Sequence, residues 1–235
     1  MSRLLLAQSR PLPVLSGPVV IIAPHADDET LGCGQLLWTL SRRQHPVTVA
    51  FVTDSAAPHA TNQGRSRQDT ADRRREEALS ALQTFGLDTA CARFLDAPDG
   101  RMDHLASHEL ELLRHGFAEL LEITAPMHVF TPLLGDGSSE HDATTWLVRE
   151  AVAGARRPIT RWEYAVWAWW DSRRLSRQLG RPAENFSLAE PEGVQAKRAA
   201  MQAHRSQILP ETNPPLPSDL REACCGPAEF HFCRP

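Results

Sequence analysis

The stretch VVIIAPHADDETLGCG, residues 19–34, constrains the fold of this chain more than any other segment. It begins with five apolar residues, Val19–Ala23, and shows none of the polar alternation of a strand with one face in water. Such a run is typical of a strand that is covered on both faces, as in a parallel sheet between two layers of helices. The stretch therefore predicts an α/β protein with a buried central strand.

The rest of the chain alternates between strand and helix patterns. Short apolar or β-branched runs predict four more strands, at Val47–Thr53, Ala92–Leu95, His128–Pro132 and Tyr164–Trp169. Helical periodicity appears at Thr30–Gln44, Arg67–Phe85, Leu105–Ile123, Thr144–Gly154 and 194–208. This order predicts a Rossmann-like, mostly parallel sheet with right-handed crossovers and helices on both faces.

The end of the chain has a looser pattern. We expect one α/β domain over residues 1–235, with a core of about 19–208 and an irregular C-terminal extension at 209–235. Residues 172–193 indicate an exposed insertion or loop. The tail CCGPAEFHFC, 224–233, lacks a paired C-x-x-C and favours a terminal strand over a zinc ribbon.

Composition excludes several classes of protein. Lys and Arg number 25 against 29 Asp and Glu, a net charge of −4 without a long basic block, so no nucleic-acid partner is expected. No apolar run approaches the ~20 residues of a membrane span, and the first residues lack a signal-peptide pattern. The five cysteines are odd in number and irregularly spaced, which predicts a reducing, cytoplasmic location.

A histidine and three consecutive carboxylates follow the first strand directly. An unpaired buried carboxylate is strongly unfavourable, but a bound cation makes this placement reasonable. His25 and Asp28 are three residues apart, so one turn can aim both at a single divalent ion, with Asp27 beside them as a candidate general base. The alternative is a helix N-terminus that carries acids, which the helix dipole favours. The histidine in front and the buried strand behind favour the metal site.

His141 is the best-placed third ligand among the ten histidines. It follows the predicted strand His128–Pro132 through a glycine-rich loop and precedes a helix. Because parallel strands end at one edge of a sheet, we expect it to lie near His25 and Asp28. Zn²⁺ and Fe²⁺ both accept two imidazoles and one carboxylate, so the physiological metal stays open between them.

The segments PHADDE and GDGSSEHDAT resemble the two signature motifs of the LmbE-like, or PIG-L, zinc-dependent de-N-acetylases. In that family a first strand ends in (A/P)HPDDE, and a later loop has the form H-x-D-H. The resemblance implies Zn²⁺ ligation by His25, Asp28 and His141, with Asp27 as general base. RREEALSALQTFG is similar to the family's R-x-x-E-x-x-x-A helix, which implies that Arg74 contacts substrate.

The chain departs from the family pattern at three positions. Ala26 replaces the usual Pro, Glu140 replaces an Asp, and Ser138 stands where the family has the histidine that stabilises the oxyanion. Losing one oxyanion donor typically costs about 10²–10³ in rate. Three alternatives follow: Arg74 or His204 takes over the role of that histidine, the enzyme is slower, or the catalytic activity is lost. Since all three ligands and the base are retained, we favour a working hydrolase with Ser138 at the catalytic position.

The resemblance implies removal of an N-acetyl or N-acyl group from an amino-sugar conjugate, a small-molecule partner. In the segment RWEYAVWAWWD the rings either pack in the core or form a stacking platform for sugars, with Trp169 or Trp170 the better candidates for a pocket wall. Two alternatives remain: a non-catalytic zinc-binding protein of the same fold, and a nucleotide-binding Rossmann-like protein. Acids where a pyrophosphate would sit disfavour the latter. A homo-oligomer is left open.

Overall fold

The computed structural model of the chain describes residues 2–57, 66–179, 184–209 and 214–234. The strands in this part are β1 Arg10–Pro11, β2 Val19–Ala23, β3 Val47–Thr53, β4 Ala92–Ala97, β5 His128–Pro132, β6 Thr160–Tyr164, β7 Glu184–Leu188 and β8 Glu229–Arg234. The helices are α1 Ser2–Gln8, α2 Asp28–Arg42, α3 Arg67–Thr84, α4 Ser107–Thr124, α5 Ser139–Ala153, α6 Ser172–Leu179, α7 Pro191–Met201, α8 Arg205–Ile208 and α9 Ser218–Cys224. Among the described helices, none has the length and apolar character needed to cross a membrane.

The strands form one sheet in the order β1-β7-β8-β6-β5-β2-β3-β4. Neighbouring strands pair in parallel, except that β8 runs antiparallel to β6 and β7. The predicted mostly parallel α/β fold is confirmed. The chain first builds outward from β2 through β3 to β4, and then places β5 on the other side of β2. The switch point of the sheet, where such folds gather ligands, therefore lies between β2 and β5.

Helices cover β2 on both faces, which explains its unbroken apolar sequence. Val19 and Ile21 pack in a core that includes side chains of α2, α3 and α7. Val20 and Ile22 pack on the opposite face against side chains of α4 and α5. Because successive side chains of a strand point to opposite faces, each face of β2 needs its own apolar set.

The predicted strand Tyr164–Trp169 is wrong. The strand is Thr160–Tyr164, and a short 3₁₀ turn occupies Trp167–Trp169. Beyond Tyr164, three successive backbone N–H groups donate to the carboxylate of Asp136 at 2.9–3.0 Å. This carboxylate replaces the acceptors that a neighbouring strand would supply, and the chain turns away from the sheet.

The C-terminal expectation is also corrected. Residues 218–234, expected to be irregular, contain α9 and β8, and β8 lies between β6 and β7 in the sheet. Residues 172–193, expected to form a loop, contain α6 and β7. Part of each expectation lies outside the described residues: 210–213 and 235 of the first range, 209–235, and 180–183 of the second, 172–193. Short strands of mixed composition depend on their pairing partners, which local propensity does not reveal. The predicted terminal strand in the tail is confirmed.

The glycines of the GCG segment allow α2 to pack closely. A Cβ atom at Gly32 would lie 2.0 Å from the ring of Tyr164, and one at Gly34 would lie 2.6 Å from the side chain of Lys197. The hydroxyl of Tyr164 donates to the carbonyl of Ile22 at 2.7 Å, which ties β6 to β2. These glycines thus serve helix packing at the switch point.

Candidate metal centre

The turn after β2 brings two predicted ligands together. The backbone N–H of His25 donates to Oδ2 of Asp28 at 2.9 Å, which closes the turn at the start of α2. Nδ1 of His25 lies 3.2 Å from the same carboxylate oxygen. One imidazole and one carboxylate therefore face a common point at the carboxyl end of β2.

His141 reaches this point from α5, on the other side of the switch point. Its Nε2 lies 3.2 Å from Oδ2 of Asp28, and its ring centroid lies 5.7 Å from that of His25. Ligand atoms of His25, Asp28 and His141 all lie within 4.8 Å of one another. Three residues from distant parts of the sequence thus form one cluster.

The state of the His141 ring fits a cation ligand. Its Nδ1 lies 2.9 Å from Oδ2 of Asp136 and donates to it, so Nε2 is the nitrogen that would present a lone pair to a bound cation once its proton is displaced. Nε2 is buried and makes no hydrogen bond within the described part of the chain, although Asp28 is close. A buried nitrogen without a hydrogen bond is rare, and a bound cation would satisfy it. The residues present therefore fit a divalent metal.

The electrostatics of the cluster favour positive charge. Burial acts to lower the pKa of His141, but the carboxylates of Asp28 and Asp136 outweigh burial and raise this pKa to about 10. Burial acts to raise the pKa of Asp28, but its contacts with His141 and His25 hold that pKa well below its usual range. The raised pKa of His141 reflects the negative charge of Asp28 and Asp136, and the lowered pKa of Asp28 reflects the two imidazoles beside it.

Asp136 is a supporting residue that sequence reasoning missed. It is fully buried, and its carboxylate accepts from Val166, Trp167 and Ala168 as well as facing His141. Four contacts hold the carboxylate rigidly, so it orients the His141 ring. The available signal was the GDG segment after β5, an acid between glycines at the carboxyl edge of the sheet.

Asp136→Asn is expected to weaken Zn²⁺ binding by about 10–100-fold, the usual effect of losing the carboxylate behind a ligating histidine. The amide keeps the shape but reduces the basicity of the His141 ring. Competition with a chromophoric chelator measures the affinity. Asp142→Asn is the matched control, because the Asp142 carboxylate accepts from the backbone N–H of Gly135 and makes no hydrogen bond to a proposed ligand within the described residues. Equal Zn²⁺ affinities in both folded variants would contradict this role of Asp136.

The other nitrogen of His25 is held by two further acids. Nε2 lies 2.7 Å from Oε2 of Glu140 and 3.1 Å from Oδ1 of Asp99. Glu140 is itself held by the backbone N–H of Gly100 at 2.8 Å. His25, Asp99 and Glu140 also form a compact group, but these hydrogen bonds account for it, so we interpret it as support for the His25 ring. Asp99 was missed in the sequence; it too precedes a glycine, in PDG after β4.

The predicted base and the predicted substrate contact lie side by side. Nη2 of Arg74 donates to Oδ2 of Asp27 at 3.2 Å and to the carbonyl of Ala26 at 2.7 Å. Both charged side chains are buried and line the same cavity. Burial raises the pKa of Asp27 to about 6, although the Arg74 guanidinium acts to lower it. Arg74 therefore holds Asp27 next to the cluster.

Ser138 and His204 differ in their access to this cavity. Ser138 lines it, and its hydroxyl accepts from the backbone N–H of His141 at 3.4 Å as the N-cap of α5. His204 is fully buried, with Nε2 3.2 Å from both Glu29 and Thr30, and does not line the cavity. Of the two substitutes for the missing histidine, only Arg74 reaches the cavity.

His25 and Asp28 of the cluster line a cavity of about 520 Å³, and His141 lies fully buried behind them. Trp167, rather than the expected Trp169 or Trp170, lines this cavity. Trp169 packs inward against Phe230, with ring centroids 5.6 Å apart, while Trp170 lines a neighbouring cavity. The 3₁₀ turn after β6, which the sequence did not reveal, produces this arrangement.

The fold and this cluster define a class: a Rossmann-like α/β protein with a candidate divalent-metal centre at the switch point of its sheet. The profile of the PIG-L family, described as GlcNAc-PI de-N-acetylase, matches residues 20–152, more than half of the sequence, and the chain belongs to this family. A comparison with curated proteins finds no matching sequence.

Several solved structures share the fold. N,N'-diacetylchitobiose deacetylase from Pyrococcus horikoshii is 21% identical, with a TM-score of 0.65 over 87% of this chain and 73% of that chain. The zinc-inhibited form of teicoplanin deacetylase is 18% identical, with a TM-score of 0.68 over 92% and 97%. The 4-carboxy-2-hydroxymuconate hydratase of Pseudomonas putida is 14% identical, with a TM-score of 0.68 over 93% and 95%. At these identities the similarity shows the fold alone.

Proposed function

We propose that this chain is a metal-dependent hydrolase that removes an N-acetyl or N-acyl group from an amino-sugar conjugate. The observation that carries the proposal is the convergence of His25, Asp28 and His141 at the wall of a cavity that Asp27 also lines, in a PIG-L family member. Two of the solved structures with this fold are deacetylases by description, which agrees with the proposal.

His25, Asp28 and His141 are the proposed ligands, and two imidazoles with one carboxylate suit Zn²⁺ or Fe²⁺. When bound, a divalent cation supplies a Lewis acid that polarises an acyl carbonyl and lowers the pKa of water. The surrounding acids contribute by orienting the ligands: Asp136 holds His141, and Glu140 holds His25.

Asp27 is the proposed general base and later the general acid. Its Oδ2 is occupied by Arg74, whereas Oδ1 makes no hydrogen bond within the described residues. Oδ1 therefore takes the proton from the attacking water and returns it to the departing amine. Arg74 keeps the carboxylate in place during both transfers.

Ser138 is the proposed donor to the oxyanion. Its hydroxyl oxygen accepts from the His141 N–H, and a hydroxyl donates and accepts at the same time. The Ser138 proton is therefore free to point into the cavity. This donor is neutral, so we expect a weaker contribution than that of a charged imidazole.

Metal removal tests the proposal. The chelator-treated protein is expected to release no acetate from N-acetylglucosamine conjugates, and one equivalent of Zn²⁺ or Fe²⁺ is expected to restore release. Acetate is measured by a coupled assay and bound metal by atomic absorption. Full turnover in metal-free protein would contradict metal dependence, and a metal-loaded protein inactive on every conjugate would favour the non-catalytic alternative.

A further inference from the structure

A second cavity of about 330 Å³ adjoins the main one. Its lining comprises Asp136, Gly137, Trp167, Trp170, Asp171 and Arg174. Gly137 and Trp167 line both cavities. Because the two spaces share these residues, they lie side by side.

An indole ring forms one wall of the second cavity. Trp170 is 52% exposed, yet its Nε1 donates to Oδ2 of Asp219 at 2.8 Å, which holds the ring in place. The rings of Trp167 and Trp170 lie 6.0 Å apart at 33°. A large exposed ring that is fixed by a hydrogen bond offers a preformed apolar face to a flat ligand group.

Arg174 places a guanidinium in the second cavity beside two carboxylates, Asp171, with which it pairs, and Asp136, which is already held by His141 and three backbone N–H groups. Its Nε donates to Asp171 at 3.3 Å, while Nη1 and Nη2 make no hydrogen bond within the described residues. A Cβ atom at Gly137 would lie 2.7 Å from Nη1, so the guanidinium lies at the boundary between the cavities. Arg173 and Arg177 of the same helix are exposed nearby in sequence.

The main cavity carries a larger excess of acids: within the described part of the chain, Asp27, Asp28, Asp99 and Glu140 line it together with a single guanidinium, that of Arg74. An anionic group is repelled from these carboxylates and attracted to Arg174, where a guanidinium offers paired donors to a carboxylate or phosphate. Trp167, Trp170 and Arg174 also lie beyond residues 20–152, the part that the family profile matches. Four of the six residues that line the second cavity, these three and Asp171, therefore lie outside that match.

We propose that the second cavity binds the part of the substrate beyond the N-acylated sugar. A ring group lies against Trp170, and an acidic substituent is bound by Arg174. This inference rests on the proposed function and specifies its substrate class, an extended and acidic conjugate. Trp170 and Arg174 determine specificity and take no part in the chemistry.

Binding to Zn²⁺-loaded Asp27→Asn protein, in which turnover is blocked, tests this by calorimetry. The ring probes are N,N'-diacetylchitobiose and phenyl N-acetylglucosaminide, the acidic probe is N-acetylglucosamine 1-phosphate, and N-acetylglucosamine is the reference. Trp170→Ala is expected to weaken binding of one or both ring probes about tenfold. A loss for the chitobiose probe would indicate that Trp170 contacts a sugar ring, and a loss for the phenyl probe would indicate an aromatic ring. Arg174→Gln is expected to weaken binding of the phosphate at least about tenfold. Neither substitution is expected to change the affinity for N-acetylglucosamine, the reference probe.

Matched controls separate these effects from general disturbance. Trp146 on α5 is 54% exposed and lies in neither cavity, so Trp146→Ala is expected to change no affinity. Arg177→Gln serves the same purpose on α6, and Trp170→Phe keeps a ring and retains most of the binding.

Three results would overturn the second-cavity proposal: ring and acidic probes that bind no tighter than the reference, no measurable binding of these probes, or affinities unchanged by Trp170→Ala and Arg174→Gln. The proposed function fails separately, if unsubstituted Zn²⁺-loaded protein releases no acetate from any probe. In that case the ratio of each probe's affinities with and without the Trp170 or Arg174 substitution still tests binding in the second cavity.

Discussion

Asp27→Asn is expected to lower kcat for deacetylation by about 10²–10⁴-fold, the usual contribution of a positioned general base. Asparagine has nearly the same shape and keeps a contact with Arg74, but its amide does not accept the proton from water. Zn²⁺ is expected to remain bound, since the proposed ligands are His25, Asp28 and His141. Initial rates of acetate release and metal content of the purified variant measure the two expectations.

Asp27→Glu is the matched variant, because it keeps a carboxylate that accepts a proton and pairs with Arg74. We expect it to retain more activity than Asp27→Asn. Full activity in Asp27→Asn would mean that another group takes the proton. Loss of Zn²⁺ together with activity would instead make Asp27 a metal ligand.

Glu229→Gln is expected to lower the free energy of unfolding by about 3–5 kcal/mol, the cost of leaving one member of a buried ion pair alone. Oε2 of Glu229 accepts from Nζ of Lys197 at 2.7 Å, and both side chains are buried. The same carboxylate accepts from the backbone N–H groups of Gln35 and Leu36 at 3.0 Å. These groups follow Cys33, where the φ angle of −132° interrupts α2, so Glu229 caps the second half of that helix.

The expected loss corresponds to a decrease of about 6–20 °C in Tm for a chain of this size. Thermal and urea unfolding at neutral pH measure it. Glu222→Gln is the control, because Glu222 pairs with Arg198 at an exposed site, where such pairs contribute about 0–1 kcal/mol. A Glu229→Gln protein as stable as the Glu222→Gln protein would contradict the stabilising role of the buried Glu229–Lys197 ion pair.

At acidic pH, the difference in free energy of unfolding between wild type and Glu229→Gln is expected to decrease. Burial acts to raise the pKa of Glu229, but the contacts with Lys197 and His231 together outweigh burial and lower the pKa from 4.5 to about 2. Since the folded-state pKa lies below the unfolded one, the contribution is complete above pH 4.5 and is lost as the pH falls toward 2. Urea unfolding at pH 7 and pH 3 follows this change.

Local patterns carried the prediction of the central sheet. The strands β2, β3 and β5 have the predicted bounds because each is an apolar run that ends at a polar or proline-containing turn. The proximity of His25, Asp28 and His141 also followed from topology, because parallel strands bring their carboxyl ends to one edge of the sheet.

Long-range pairing produced the elements that were mispredicted. β7 forms because β8 returns from the C-terminus to pair with it, and β6 ends where it does because Asp136 accepts three backbone N–H groups. The placement of Trp167 in the main cavity and Trp170 in the second follows from that ending. None of these partners is close in sequence to the residues that they organise.

By itself, the sequence determined which chemical groups stand at the ends of β2 and β5, because residue identity and short spacing are local properties. Only the tertiary structure decided which group supports which: Asp136 behind His141, Glu140 and Asp99 beside His25, and Arg74 against Asp27. The physical reason is that a hydrogen bond or ion pair depends on ångström-scale distance and orientation. Packing of the helices on the sheet sets these distances, and residues far apart in the chain share them.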